Sequence, residues 1–244
     1  MILGPPSRRT CPATALLAVT LWLAHAPAGA HDVFWSAGAV ADTLLEGHLA
    51  GHRHGDAGNQ WLEASRVAWL ATVGADGALR VAPAPAAAPV TVPADGLADV
   101  ALVDWGWWTK TADGTVNRHP SQVARPLQAW RSQETVKHLR GWSPGLATPL
   151  GRGFELTPLT DPRALSPGDK LAVLATADGQ PVAGAAVAYG DDTRGATGPD
   201  GRINLRLRHA GLQVVRASWR RPDADDPRHE DVRTAVLTFD LAAR

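Results

Sequence analysis

The chain has almost no cysteine. The one present, Cys11, falls among the first thirty residues, so residues 31–244 hold no disulfide and no thiolate site. A metal bound there must take nitrogen and oxygen ligands. Charge of one sign is missing too: Lys plus Arg and Asp plus Glu both number 24, which leaves no electrostatic footprint for nucleic acid or an anionic membrane. Long amphipathic helix patterns are absent, whereas Gly (24) and Pro (19) are frequent, as suits many short strands joined by turns. No Ser/His/Asp arrangement, glycine-rich phosphate loop or closely paired carboxylates stands out. Tyrosine occurs once, as Tyr189.

What is present begins with a leader pattern. Arg8 and Arg9 form a basic region, residues 13–24 an apolar run, and Pro27 precedes the small-residue site Ala28-Gly29-Ala30. The run is too short for a good membrane anchor. This predicts a signal peptide over 1–30, cleavage after Ala30 and a periplasmic or secreted protein. About 210 residues then remain, enough for one large or two small domains.

Strand patterns fill the rest. Residues 31–35, 40–45, 66–73, 78–81 and 99–108 are expected strands, with the turn Ala75-Asp76-Gly77 inside a hairpin. Residues 82–93, rich in Ala and Pro, suit an extended edge. Residues 121–139 have some helical character, limited by Pro120 and Pro126. After the Gly/Pro-rich stretch 141–149, alternating segments at 154–159, 170–175, 185–189, 203–207, 211–219 and 232–241 predict a second set of strands. The expected fold is all-β: two β-sandwich domains, 31–150 and 151–244, with a short helical or irregular segment between them. The C-terminal sandwich is expected to be immunoglobulin-like or transthyretin-like.

The histidines supply the chemistry. Cleavage after Ala30 makes His31 the mature N-terminus, and its α-amine, titrating near ~8, closes a chelate ring with its own imidazole. His48 ends a predicted strand. His52 and His54 lie in a glycine-punctuated loop, their side chains on one side of an extended segment. His138, beside Lys137, completes the candidate metal set His31, His48, His52, His54 and His138; the bland alternative for each is a frayed terminus, a solvated loop or a basic surface. His119, His209 and His229 suit structural or solvent-facing places. Trp105, Trp107 and Trp108 fit core packing first and a carbohydrate platform second.

The motifs His31-Asp32-Val33-Phe34-Trp35, Gly47-His48, Trp107-Trp108-Thr109-Lys110-Thr111-Ala112-Asp113-Gly114 and Lys137-His138 resemble those of a family of exported proteins associated with nickel or cobalt uptake, accessory to energy-coupling-factor metal transporters. The C-terminal frame is Glu155-Leu156-Thr157-Pro158-Leu159-Thr160-Asp161-Pro162, Leu165, Gly168-Asp169, Asp178-Gly179-Gln180-Pro181 and Asp200-Gly201-Arg202. Val215-Arg216-Ala217-Ser218-Trp219 departs from the pattern, in which a histidine is common near that strand's end. The resemblance implies capture of Ni²⁺ or Co²⁺ and delivery to a membrane permease of the energy-coupling-factor type, without catalysis. Imidazole and amine ligands alone would favour Cu²⁺. A copper-dependent histidine-brace oxidative enzyme is therefore a second expectation, although the lone tyrosine lies in the C-terminal half. A structural β-sandwich module with incidental histidines is a third.

Overall fold

The computed structural model describes residues 32–47, 49 and 58–242. The chain opens with the antiparallel pair β1 (Asp32–Ser36) and β2 (Ala41–Gly47), joined at the far edge of β2 by the short β3 (Gln60–Trp61). Next come the hairpin β4 (Val67–Val73) and β5 (Leu79–Ala82), then β6 (Thr91–Pro93), which returns to β2. The long β7 (Ala98–Thr111) carries the short β8 (Gly114–Val116) at its end and lies between β4 and β9 (Gln128–Leu139). β10 (Phe154–Pro158), β11 (Lys170–Ala177) and β12 (Gln180–Pro181) form a further antiparallel set. The chain finishes with β13 (Ala186–Tyr189), β14 (Asp192–Ala196), β15 (Arg202–Arg206), β16 (Gly211–Pro222) and β17 (Glu230–Leu241).

These strands make three sheets. A four-stranded sheet holds β1, β2, β3 and β6, and another holds β10, β11, β12 and β15. Between them runs a nine-stranded sheet ordered β14-β13-β16-β17-β9-β7-β4-β5, with β8 on β7. The side-chain period of two sends alternate residues of its central strands to opposite cores. Val136, Val236, Ala101 and Val103 meet Val33, Trp35 and Leu44 of the first sheet. Leu139, Leu237, Phe239 and Val215 meet Leu156, Leu171 and Val173 of the second. The all-β, sandwich-type expectation holds.

One sequence expectation meets a different structure. Residues 121–139 are not helical: a single 3₁₀ turn, Pro120–Gln122, precedes the twelve-residue strand β9. Its last five residues, Thr135 to Leu139, are all buried because both faces are covered, so the alternation that betrays a half-exposed strand is lost. The boundary expected near Gly151 falls in the loop between β9 and β10. Hydrogen bonding nevertheless continues across it, because β17 pairs in parallel with β9 from Glu230↔Trp130 to Phe239↔Leu139.

Two sets of charged groups inside the layers are paired, whereas the buried hydroxyls of Thr135, Thr157 and Thr176 have no hydrogen-bond partner among the described residues. Lys137 Nζ donates to Glu155 Oε2 at 2.7 Å and to the Leu156 carbonyl at 3.3 Å, and the two side chains are 4% and 1% exposed. Glu155 Oε1 also accepts from the Gly151 amide at 2.9 Å. On the opposite face of the nine-stranded sheet, Arg140 binds Asp42 of β2 and Asp99 of β7, and both carboxylates are fully buried. It also donates to the carbonyls of Gly96 and Pro93.

A buried charge left without its partner costs more than the pair contributes. Lys137→Met should therefore lower unfolding free energy by about 3–5 kcal/mol, and the double variant Lys137→Met, Glu155→Leu should recover most of that loss. Urea unfolding of the three proteins checks this; a double variant as unstable as the single one would contradict it.

Candidate functional site

β1 and β2 open at the same end of the first sheet, where Asp32 stands opposite Gly47 and Gln60 opposite Glu46. Gly47 is required there by close approach: a Cβ on it would lie 2.8 Å from Asn59 Cα. Leu49, two residues on, is buried at 3% exposure and anchors the chain as it leaves β2. Asp32 forms a 2.9 Å ion pair with Arg216 of β16, whose other nitrogen donates to the Gly190 carbonyl at 3.0 Å.

Beneath this end lies Glu134 of β9. It accepts a 3.2 Å hydrogen bond from Trp105 Nε1. Burial pushes its carboxyl up from the ordinary 4.5 to about 7; the nearby Asp32 and Glu46 charges add to the rise, and Trp105 and Arg216 oppose it. The sheet end therefore gathers three carboxylates against one guanidinium, with one carboxylate holding its proton near neutrality. Chemically, such a place accepts added positive charge by releasing that proton.

Of the five expected ligands, His31, His48, His52 and His54 lie outside the described residues. In sequence, His31 directly precedes Asp32 and His48 directly follows Gly47, the two residues that register opposite each other. His138 lies inside the molecule at 3% exposure, on β9 opposite Asp99. Its Nδ1 is 2.9 Å from Thr238 Oγ1, which is also 3.4 Å from the Lys137 carbonyl. Burial holds its pKa below the ordinary histidine value and keeps it neutral. The adjoining Asp99 carboxyl is pushed up to about 7, by burial first and by its hydrogen bond with Asp42 second, against the pull of Arg140. Among the described residues, no group of three or more His, Cys, Asp or Glu side chains is arranged to hold a metal.

Glu134, Arg216 and Trp105 did not stand out in the sequence as site residues. Glu134 sat in the segment given helical character, and no short-range motif joins residues on β7, β9 and β16. No local signal marked Glu134; once β9 is a strand, its period of two places Glu134 on the face of Val136 and His138, the one that packs the first sheet.

A family model for a domain of unknown function, DUF4198, matches residues 50–221. The chain belongs to this family. The match spans β3 through most of β16 and so includes Glu134 and Arg216, while β1, β2 and β17 lie outside it. No curated protein matches the chain. No helix among the described residues is long and apolar enough to cross a membrane.

The raised carboxyls set a pH dependence. Glu134 and Asp99 keep a proton in the folded chain that the unfolded chain releases at lower pH, so the folded state binds more protons between about pH 4 and 7. Stability should therefore fall as pH rises through that window and level off above it. Glu134→Gln should remove on the order of 1–3 kcal/mol of the fall, leaving the Asp99 part. Thermal unfolding from pH 4.5 to 8 reads this, and identical profiles for both proteins would rule out the raised Glu134 pKa.

Proposed function

We propose that this is an exported metal-binding protein that captures Ni²⁺ or Co²⁺ outside the cytoplasm and supplies it to a membrane permease of the energy-coupling-factor type. The anchor is the α-amine and imidazole of a mature N-terminal His31, joined by His48; His52 and His54 act as a collecting arm. The observation that carries this reading is the register Asp32↔Gly47, because the residues next in sequence on the two strands are those two histidines. The carboxylates of Asp32, Glu46 and Glu134 add a field favourable to a cation at the same end of the sheet. Nickel or cobalt in preference to copper rests on the family resemblance of the motifs, since ligand chemistry alone ranks Cu²⁺ first. His138, committed to Thr238 in the interior, has no part in the site.

Isothermal titration with Ni²⁺, Co²⁺ and Cu²⁺ tests the reading on protein cleaved after Ala30, beside a form carrying one extra residue before His31. The extra residue, and separately His31→Ala, should each weaken binding on the order of 100-fold, or about 3 kcal/mol. Equal binding by all three forms would move the site to the His48–His54 loop. No binding by any form would sink the metal reading.

A further inference from the structure

A different surface carries a site that the metal reading does not use. In β7 the ladder with β9 slips between Asp104 and Gly106: Asp104 pairs with Gln133 and Gly106 with Ser132, which leaves Trp105 as the extra residue of a bulge. Gly106 adopts φ 70°, a conformation a side chain would resist. The slip has a consequence for direction. Asp104 and Trp107, three apart, would face opposite sides of a regular strand, but here both face the side of Arg131 and Gln133, and Trp105 turns the other way to Glu134.

On that side lies an open groove of about 730 Å³ whose lining includes Glu63, Arg66, Asp104, Trp107 and Arg131. Its volume is within the range of about 300–1,000 Å³ common for small-molecule sites. The polar groups are already fixed in place. Arg131 Nη2 donates to Asp104 Oδ2 at 2.7 Å, Gln133 donates to the same oxygen at 3.4 Å, and the Gly106 amide donates to Asp104 Oδ1 at 2.8 Å. Arg66 donates to the Trp105 carbonyl and to Asn117 Oδ1, both at 3.1 Å, and lies 3.5 Å from Glu63. Trp107 is held edge-on by two histidine rings from separate loops, His119 at 5.0 Å and His229 at 5.5 Å.

Charge decides the ligand class. Each arginine of the groove has its own carboxylate, so the lining has no net charge with which to select an anion or a cation. What remains is an indole wall beside planar donors and acceptors. A pyranose ring fits both: its C–H edges carry slight positive charge toward the negative π-face of an indole, and its hydroxyls bond to carboxylate and guanidinium together. We propose that this groove binds a neutral oligosaccharide, with Trp107 stacking on one sugar ring and Asp104 and Arg131 bonding its hydroxyls. The half-buried Trp219 is unlike it, because Arg221 lies over its ring at 5.1 Å.

Isothermal titration of the purified protein with cello-, chito-, malto- and xylohexaose, in the presence of EDTA, tests the proposal independently of any metal. At least one of these chains should bind, and both Trp107→Ala and Arg131→Met should weaken it at least about tenfold, with melting temperatures close to that of the parent. Arg131→Met carries the test if Trp107→Ala fails to fold. The proposal is overturned if none of the four binds, if a folded variant binds as tightly as the parent, or if polygalacturonate binds more tightly than every neutral chain.

Discussion

Arg140 holds the first sheet to the central one. It is the first residue after β9, and its guanidinium reaches Asp42 on β2 and Asp99 on β7, with the carbonyls of Gly96 and of Pro93 at the end of β6 taking its remaining protons. Two buried carboxylates share one cation, and burial first, then the hydrogen bond with Asp42, pushes Asp99 up to about 7. The geometry has a positional effect beyond its own energy. Asp42 fixes where β2 lies on the central sheet, and the β1–β2 register then fixes where Asp32 and Gly47 open. The acidic sheet end above Glu134 is thus placed by a tie made at the other end of β9.

Lys137 does the same on the opposite face. Successive residues of one strand, Lys137 and His138, send their polar groups into different cores, toward Glu155 and Thr238 respectively. Buried polar contacts of this kind contribute little net stability but penalise every alternative register. For a strand covered on both sides, where apolar residues alone would allow slippage by two, such pairs fix the alignment.

This explains what the sequence revealed and what it hid. The β-rich class, most strands and several turns were legible because half-exposed strands alternate and because Gly and Pro punctuate them. β9 was not, because burial on both faces erases alternation, and because Glu134, Lys137, His138 and Arg140 look like a solvated surface until their partners on β2, β7, β10 and β17 are known. The continuity of the central sheet was hidden for a related reason. A Gly/Pro-rich stretch such as 141–149 resembles a linker locally, and a parallel pairing between residues about a hundred apart leaves no local trace. Of the proposed site, the histidines were visible from composition, whereas Asp32, Glu46 and Glu134 are brought together from three separate strands.

The parallel pairing of β9 with β17 also governs the order in which the molecule can be completed. A polypeptide emerges from synthesis or translocation N-terminus first, so β7 and β9 exist for the length of nearly a hundred residues before the strand that seals β9 is made. Throughout that interval β9 presents an open row of amides and carbonyls, flanked by the apolar side chains of both future cores. Closure of so distant a contact is slow compared with hairpin formation. The central sheet therefore cannot reach its native strand order until Glu230–Leu241 is available.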